Sequence, residues 1–232
     1  MYGRQSFSLP RLTRFVKALL ITLFSSYVML LIAEGWQHIP LSSWLALTPG
    51  ALAPWQLLTY VLVDGGNPLF FLFGLFILWW VLAPFEIGFG AKRTAQLCAT
   101  CVVGAAIPAW FIGQVVPGSP PLIGSGPLWM GGLAASVYLY KDQPMSLFGA
   151  VTMTAKQFLL LIVGLSLLMF LFSKNATQFV ADLGGVASGI AYIRFLRRPR
   201  SPKKRPAQRS SSKGFRVIEG GGGDDGPGKW LN

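Results

Sequence analysis

The stretch FVADLGGVASG, Phe179 to Gly189, places a carboxylate and a pair of glycines inside an apolar run near the end of the hydrophobic part of the chain. An ionisable residue inside a membrane costs at least ~2.5 kcal/mol on insertion scales, so it faces protein or water and is functional by default. Asp182 lies about six residues into this run, roughly 9 Å deep at 1.5 Å per residue. The structural alternative is a buried, protonated carboxyl that hydrogen-bonds a neighbouring helix.

The composition of the whole chain is that of an integral membrane protein. Its 232 residues are 53% hydrophobic and 12% charged, and its mean hydropathy is +0.53. A soluble domain carries roughly 25% charged residues. The apolar runs are continuous rather than alternating, which favours membrane-spanning helices over a barrel. We therefore expect an all-α membrane protein.

Six apolar runs approach the length of about 20 residues that a bilayer core requires of a helix. A loop rich in Trp, Pro and Leu separates the first two runs, and it either lies partly in the outer leaflet or forms an aromatic belt. The predicted spans are 15–32, 69–85, 94–116, 123–140, 158–172 and 177–196. The predicted domains are an N-terminal segment 1–13, a six-helix bundle 14–196 and a disordered basic tail 197–232.

Positive charge predicts the orientation of these spans. The cations that flank the first, second, fourth and sixth spans all fall on one side of a six-span chain, and the other side holds only Lys174. By the positive-inside rule that side is the cytoplasm, so both termini are expected there. The dense basic ends and the lack of an obvious organelle presequence favour a bacterial inner membrane.

The tail is the most basic part of the chain. Eight of the twenty Lys and Arg residues lie between Arg197 and Lys213. Its Pro, Ser, Gly and charge content predicts disorder. The cations are expected to contact anionic lipid, each contributing about 1 kcal/mol near the surface. No aromatic residues are interleaved with them, so we do not expect nucleic acid as a partner.

The sequence predicts neither a metal nor a cofactor. Cys98 and Cys101 are the only cysteines, and they lie three residues apart in an apolar run. His38, the only histidine, lies in the outer loop. A metal site of the Cys-x-x-Cys kind needs two further ligands, so we interpret the two thiols as helix-packing residues.

Small residues predict which helices pack closely. Gly185 and Gly189 are spaced i, i+4, and Ala181 extends the same ridge. Such spacing lets two helix backbones approach each other. Ser125 stands between Gly124 and Gly126 at the outer end of the fourth span. Spans four and six are expected to run parallel, which would bring Ser125 and Asp182 to a comparable depth.

Several short fragments occur in order along these spans and the outer loop. A tryptophan and a threonine lie in the loop, a glutamate and a glycine precede basic residues after the second span, and small residues surround Ser125 and Asp182. The fragments are PWQLLTY with Trp55, Gln56 and Thr59, FEIGFGAKR with Glu86, Gly90, Lys92 and Arg93, IGSG at 123–126 and ADLGG at 181–185.

Together these fragments resemble the rhomboid superfamily of intramembrane serine proteases over about residues 14–196. Members of that family carry Trp-Arg and then Thr in a long outer first loop, and Glu-x-x-x-Gly before basic residues. They carry Gly-x-Ser-Gly at the fourth of six spans and Ala-His-Leu-Gly-Gly at the sixth. The resemblance therefore implies the six-helix rhomboid-like bundle.

The resemblance also implies roles for individual residues. Ser125 stands at the nucleophile position, with Ile123 in place of the motif's first glycine. Asp182 stands where an active member carries its general-base histidine. Counting back from Glu86, the oxyanion-stabilising His and Asn positions are Phe70 and Gly74, and neither has a side-chain donor. The residues expected to have structural roles are Trp55, Thr59, Glu86, Gly90, Gly126, Gly185 and Gly189.

Three hypotheses follow. The first is a pseudoprotease that binds or handles transmembrane segments of client proteins, because the base and the oxyanion donors are both replaced. The second is an active intramembrane serine endopeptidase that uses Ser125 with an unconventional base, since burial can raise the pKa of a carboxyl toward neutrality. The third is a small transporter or channel subunit with Asp182 in an ion path.

Overall fold

The computed structural model describes residues 10–36, 38–48, 53–116, 118–139, 144–147 and 151–197. Most of the predicted N-terminal segment 1–13 lies outside the described residues. The predicted disordered tail 197–232 also lies outside them, apart from Arg197. The boundaries of these two segments and the disorder of the tail therefore stay predictions.

The described residues form helices joined by short segments and by one hairpin. Near the end of the first loop, one 3-10 turn at Tyr60–Leu62 follows the short helix Gln56–Thr59. In chain order the elements are α1 (Arg14–Gly35), α2 (Leu41–Leu45), α3 (Gln56–Thr59), α4 (Pro68–Phe89), α5 (Ala91–Val115), α6 (Gly126–Leu139), β1 (Pro144–Leu147), β2 (Val151–Thr154), α7 (Ala155–Ser173) and α8 (Ala176–Leu196).

Five of these helices are long and apolar enough to cross a membrane, namely α1, α4, α5, α7 and α8. The chain is therefore an integral, multi-pass membrane protein. The predicted fourth span is a shorter helix than expected, because α6 has only 14 residues. At 1.5 Å per residue it extends about 21 Å, less than the ~30 Å of a bilayer core. Most of its residues are buried within the bundle.

The described elements are helical apart from the β1–β2 hairpin, so the all-α fold class is confirmed and the hairpin is the one element that it did not include. Pro144 pairs with Thr154 and Leu147 with Val151 in an antiparallel register. The hairpin lies between the predicted spans 123–140 and 158–172, where the sequence predicts no further element. Its second strand, VTMT, is rich in β-branched residues, which favour extended backbone. Strands this short carry too little periodicity to be separated from a loop by sequence.

Helix α8 packs against both α5 and α6, and glycines form the contacts. A side-chain carbon added at Gly185 would collide with the backbone of Pro127, and one added at Gly189 would collide with the backbone of Gly131. On the α5 side, a carbon added at Gly184 would lie 2.6 Å from the carbonyl oxygen of Gly104. These glycines allow the close helix approach that the small-residue spacing indicates.

Glu86 connects the C-terminal end of α4 to the first turn of α1. Its Oε1 accepts from the backbone N–H of Phe15 at 3.0 Å, and its Oε2 accepts from that of Val16 at 3.0 Å. The hydroxyl of Thr13 also donates to Oε2. The first N–H groups of a helix have no partner within it, so Glu86 serves as a cap for α1 that comes from another helix.

Candidate functional site

Ser125 lies in a bend that the first loop holds in place. The backbone N–H of Gly124 donates to the carbonyl of Tyr60 at 3.2 Å, and Leu122 pairs with Leu47 in an isolated bridge. Gly124 has a φ of +98°, in the region that favours glycine. The carbonyl of Ser125 then accepts from Leu128 and begins the hydrogen-bonding of α6. The Ser125 side chain is buried, with 7% of its surface exposed.

Asp182 is buried on α8 and accepts two side-chain hydrogen bonds. The hydroxyl of Ser166 on α7 donates to its Oδ2 at 2.6 Å. The amide of Gln178, one turn earlier on α8, donates to its Oδ1 at 3.2 Å. Burial of a carboxylate away from water costs free energy unless hydrogen-bond donors replace the lost water. These two partners supply that compensation, and Ser166 does so from a different helix.

The structure brings Ser125 and Asp182 close in the fold without pairing them. A side-chain carbon added at Gly126, the residue after Ser125, would lie 3.3 Å from both Asp182 Oδ1 and Gln178 Nε2. Asp182 therefore lies against the first residue of α6. Within the described residues, however, no hydrogen bond joins Ser125 to Asp182, and the serine that donates to the carboxylate is Ser166.

Sequence reasoning did not identify Ser166 or Gln178 as part of the site. The signal for Ser166 was present, because it is a lone hydroxyl within the apolar run FLLLIVGLSLLMF. A polar side chain in a membrane helix commonly hydrogen-bonds across to another helix. The signal for Gln178 was its i, i+4 spacing from Asp182, which places both on one helix face.

A cavity of about 270 Å³ lies beside the carboxylate, between α6, α7 and α8. Asp182, Ser166 and Gln178 line it together with the aromatic rings of Trp129, Phe170 and Phe179. Phe170 and Phe179 stack with their ring centroids 5.1 Å apart, and they join the C-terminal end of α7 to the N-terminal end of α8. Ser125 is not part of this lining.

The predicted oxyanion positions do not contribute to the cavity. Phe70 lies in the first turn of α4 and is 73% exposed. A carbon added at Gly74 would meet nothing within 4 Å. Neither residue offers a hydrogen-bond donor in its side chain, so a negatively charged oxygen near Ser125 would depend on backbone N–H groups.

The loop residues named from the sequence form a local hydrogen-bonded unit. The indole N–H of Trp55 donates to the carbonyl of Trp44 at 3.2 Å. The hydroxyl of Thr59 donates to the carbonyl of Leu45 at 2.9 Å. Both bonds tie α3 to the end of α2. Gly90 has a φ of +83° where α4 turns into α5, a conformation that favours glycine.

The described residues contain no group of three or more His, Cys, Asp and Glu side chains that could hold a metal ion. Cys98 and Cys101 are buried free thiols on α5. The Asp182 carboxylate can accept hydrogen bonds from a group that enters this largely apolar cavity. A base for Ser125 would need to lie within about 2.6–3.2 Å of its hydroxyl oxygen, and Asp182 is engaged elsewhere.

The chain was compared with known protein families and with curated proteins. A family model described as the Rhomboid domain matches residues 51–199, which is more than half of the chain. The match begins in the first loop and includes Ser125, Ser166 and Asp182. No curated protein matches the chain.

Proposed function

The chain belongs to the rhomboid family of membrane proteins, and we propose that it is a pseudoprotease that binds or handles transmembrane segments of other proteins. The observation that carries this proposal is the hydrogen bonding of Asp182, whose carboxylate accepts from Ser166 and Gln178. In this arrangement Asp182 is a buried acceptor that faces a cavity between three helices. That position suits the recognition of a side chain from a neighbouring helix better than proton transfer from Ser125.

The chemistry of the replaced residues supports the loss of catalysis. A serine nucleophile needs a neighbouring group that takes its proton, and imidazole does so near neutral pH. A carboxylate with a reference pKa near 3.9 is a far weaker base. The loss of one oxyanion donor costs on the order of 10²- to 10³-fold in rate. Phe70 and Gly74 together leave two such donors missing.

We propose that α6 is a sixth, short span and that both termini lie in the cytoplasm of a bacterial inner membrane. The burial of α6 among longer helices supports its place in the membrane. The distribution of Lys and Arg along the chain supports the orientation. The expected partners are membrane lipids, anionic lipid along the basic tail and the transmembrane segments of clients.

The alternative is an active endopeptidase with Ser125 as nucleophile. The contact between Asp182 and Gly126 favours it, because the carboxylate lies beside the residue that follows the serine. A rearrangement that released Asp182 from Ser166 would then be required before the carboxylate could accept the serine proton.

A single experiment separates the two candidates. The full-length protein in vesicles is incubated with a fluorophosphonate probe and with a mixed set of transmembrane substrates, alongside Ser125→Ala and the control Ser136→Ala. Ser136 is a second buried serine on α6 that donates to the carbonyl of Gly132 in its own helix. We expect neither labelling nor cleavage, while substrates co-purify with the protein. Labelling and cleavage that Ser125→Ala abolishes and Ser136→Ala retains would overturn the pseudoprotease proposal.

A further inference from the structure

The carboxylate beside the cavity has unused capacity to accept hydrogen bonds. A carboxylate has about four lone-pair positions, and Asp182 accepts one bond from Ser166 and one from Gln178. Among the described residues that line the cavity, none carries a positive charge. An acidic group in a membrane interior is commonly paired with a cation or a donor. The cavity therefore contains the Asp182 carboxylate as an acceptor, and none of its described lining residues supplies a cation to pair with that carboxylate.

The size and walls of the cavity restrict what can enter it. At about 270 Å³ the cavity is far too small for a helix but has room for one long side chain. Trp129, Phe170 and Phe179 contribute aromatic rings to the lining. The faces of such rings attract ammonium and guanidinium groups. A carboxylate and aromatic rings around one small space form a site for an organic cation.

We infer that this cavity binds a single Lys or Arg side chain of a client transmembrane segment, with Asp182 as its acceptor. The inference rests on the proposed function, because it names the chemistry of the clients that function requires. A segment with a basic residue in its membrane part is exceptional, since such a residue is costly in lipid. The cavity would therefore select client segments that carry a basic residue within the membrane, where such a residue is costly.

The position of Asp182 along α8 sets the depth at which the basic residue is recognised. Asp182 follows the first residue of α8, Ala176, by six positions. This corresponds to roughly 9 Å along the helix axis. A lysine at the same depth in a client segment can reach the carboxylate. The amine of a lipid headgroup has the same chemistry, but it lies at the surface of the bilayer rather than at this depth.

The test uses synthetic transmembrane segments of about 20 Leu and Ala residues and the full-length protein in vesicles. Three segments differ only at the seventh position from the outer end, six residues after the first as Asp182 is in α8, and this position is Lys, Gln or Leu. The dissociation constant is measured by energy transfer between labels on the protein and the segment. We expect the Lys segment to bind about tenfold more tightly than the Leu segment, the effect of one intramembrane polar contact. The Gln segment should fall between them.

Variants of the protein then test whether the preference for the Lys segment depends on the Asp182 carboxylate. In Asp182→Asn, the affinity ratio between the Lys and Leu segments should fall to about one. Asp64→Asn removes a carboxylate from the first loop, outside the cavity lining, and should keep the tenfold ratio. Moving the lysine to the middle of the segment should remove its advantage on the unmodified protein, a result that does not depend on any variant folding correctly.

Each other outcome overturns a defined part of the inference. Equal affinity for all three segments would overturn the basic-residue subsite and leave the proposed function standing. Binding of no segment would overturn both. A preference for Lys that persists in Asp182→Asn would remove the carboxylate from the site. A preference that disappears when phosphatidylethanolamine is added to the vesicles would assign the cavity to a lipid amine instead.

Discussion

The hydroxyl of Ser166 donates a hydrogen bond of 2.6 Å to Oδ2 of Asp182 and joins α7 to α8. Helix α7 is otherwise the least buried of the five long helices, since only 11% of its 18-residue apolar segment is buried within the protein. Its N-terminal end packs through Phe158, whose ring meets that of Trp80 edge-on at 5.9 Å. Its C-terminal half is held to α8 by the Ser166 hydrogen bond and by the ring stack of Phe170 on Phe179.

Removal of the Ser166 hydroxyl should loosen α7. Ser166→Ala leaves Asp182 with Gln178 as its only described side-chain donor, and we expect the free energy of unfolding to fall by about 1 kcal/mol. The measurement is a denaturant titration in mild detergent. Ser26→Ala is the control, because this partly buried serine on α1 donates to the carbonyl of Leu23 within its own helix. Equal stability of the two variants would contradict a role for the bond between α7 and α8.

Alanine at Gly189 should destabilise the bundle. The added carbon would collide with the backbone of Gly131 on α6, and backbone cannot move aside as a flexible side chain can. Overpacking of this kind costs about 1–3 kcal/mol. Gly164→Ala is the control, because a carbon added at this helical glycine on α7 meets nothing within 4 Å. Thermal unfolding in detergent should separate the two variants, and similar melting temperatures would count against the close α6–α8 contact.

Loss of the Glu86 carboxylate should weaken the attachment of α1. Glu86→Ala removes the acceptor for the N–H groups of Phe15 and Val16 and for the hydroxyl of Thr13. Removal of an N-terminal cap costs about 0.5–2 kcal/mol. We expect a lower unfolding free energy and faster proteolysis near residue 14. The control is Glu34→Ala at the other end of α1, where the carboxylate is exposed and accepts from the N–H of Ser42; an equal loss there would contradict the capping role.

The loop carboxyl of Asp64 should make stability depend on pH. Burial raises its pKa above the ordinary value of 3.8, although the N–H of Gly66 donates to it and acts in the opposite direction. The folded state therefore keeps this proton to a higher pH than the unfolded state does. The free energy of unfolding falls as pH rises from the unfolded pKa through the folded one.

Asp64→Asn removes this loss of stability. The variant should unfold at a higher temperature than the unmodified protein above that pH window, and at a similar temperature below the ordinary carboxyl pKa. Thermal unfolding measured across pH provides the comparison. A difference between the two proteins that stays constant at every pH would show that the substitution acts by another route.

A histidine introduced at position 182 should not confer rapid proteolysis. Asp182→His supplies an imidazole base, but Phe70 and Gly74, the predicted oxyanion positions, still lack side-chain donors. The remaining deficit should be at least on the order of 10²-fold in rate relative to a site with those donors. Cleavage of transmembrane substrates by this variant, compared with Asp182→His combined with Ser125→Ala, is the measurement. Rapid, Ser125-dependent cleavage would indicate that backbone N–H groups suffice.

The sequence by itself determined the membrane character of the chain and the places of its long helices. The last span was predicted at 177–196 and is the helix Ala176–Leu196, and the first was predicted at 15–32 and is Arg14–Gly35. Hydropathy along a run of about 20 residues is a local property that needs no knowledge of neighbours. The spacing of Gly185 and Gly189 likewise indicated a close helix contact before its partner was known.

Only the tertiary structure decided which groups meet. The sequence predicts Ser125 and Asp182 at a comparable depth on parallel spans, yet the carboxylate accepts from Ser166, a residue with no sequence motif of its own. The rotation and tilt of α7 against α8 determine that pairing, and packing between helices sets both. The hydropathy of the sequence also did not predict the short length of α6 or the hairpin before α7. The polar contacts that define the site are non-local, and a single sequence records their residues but not their distances.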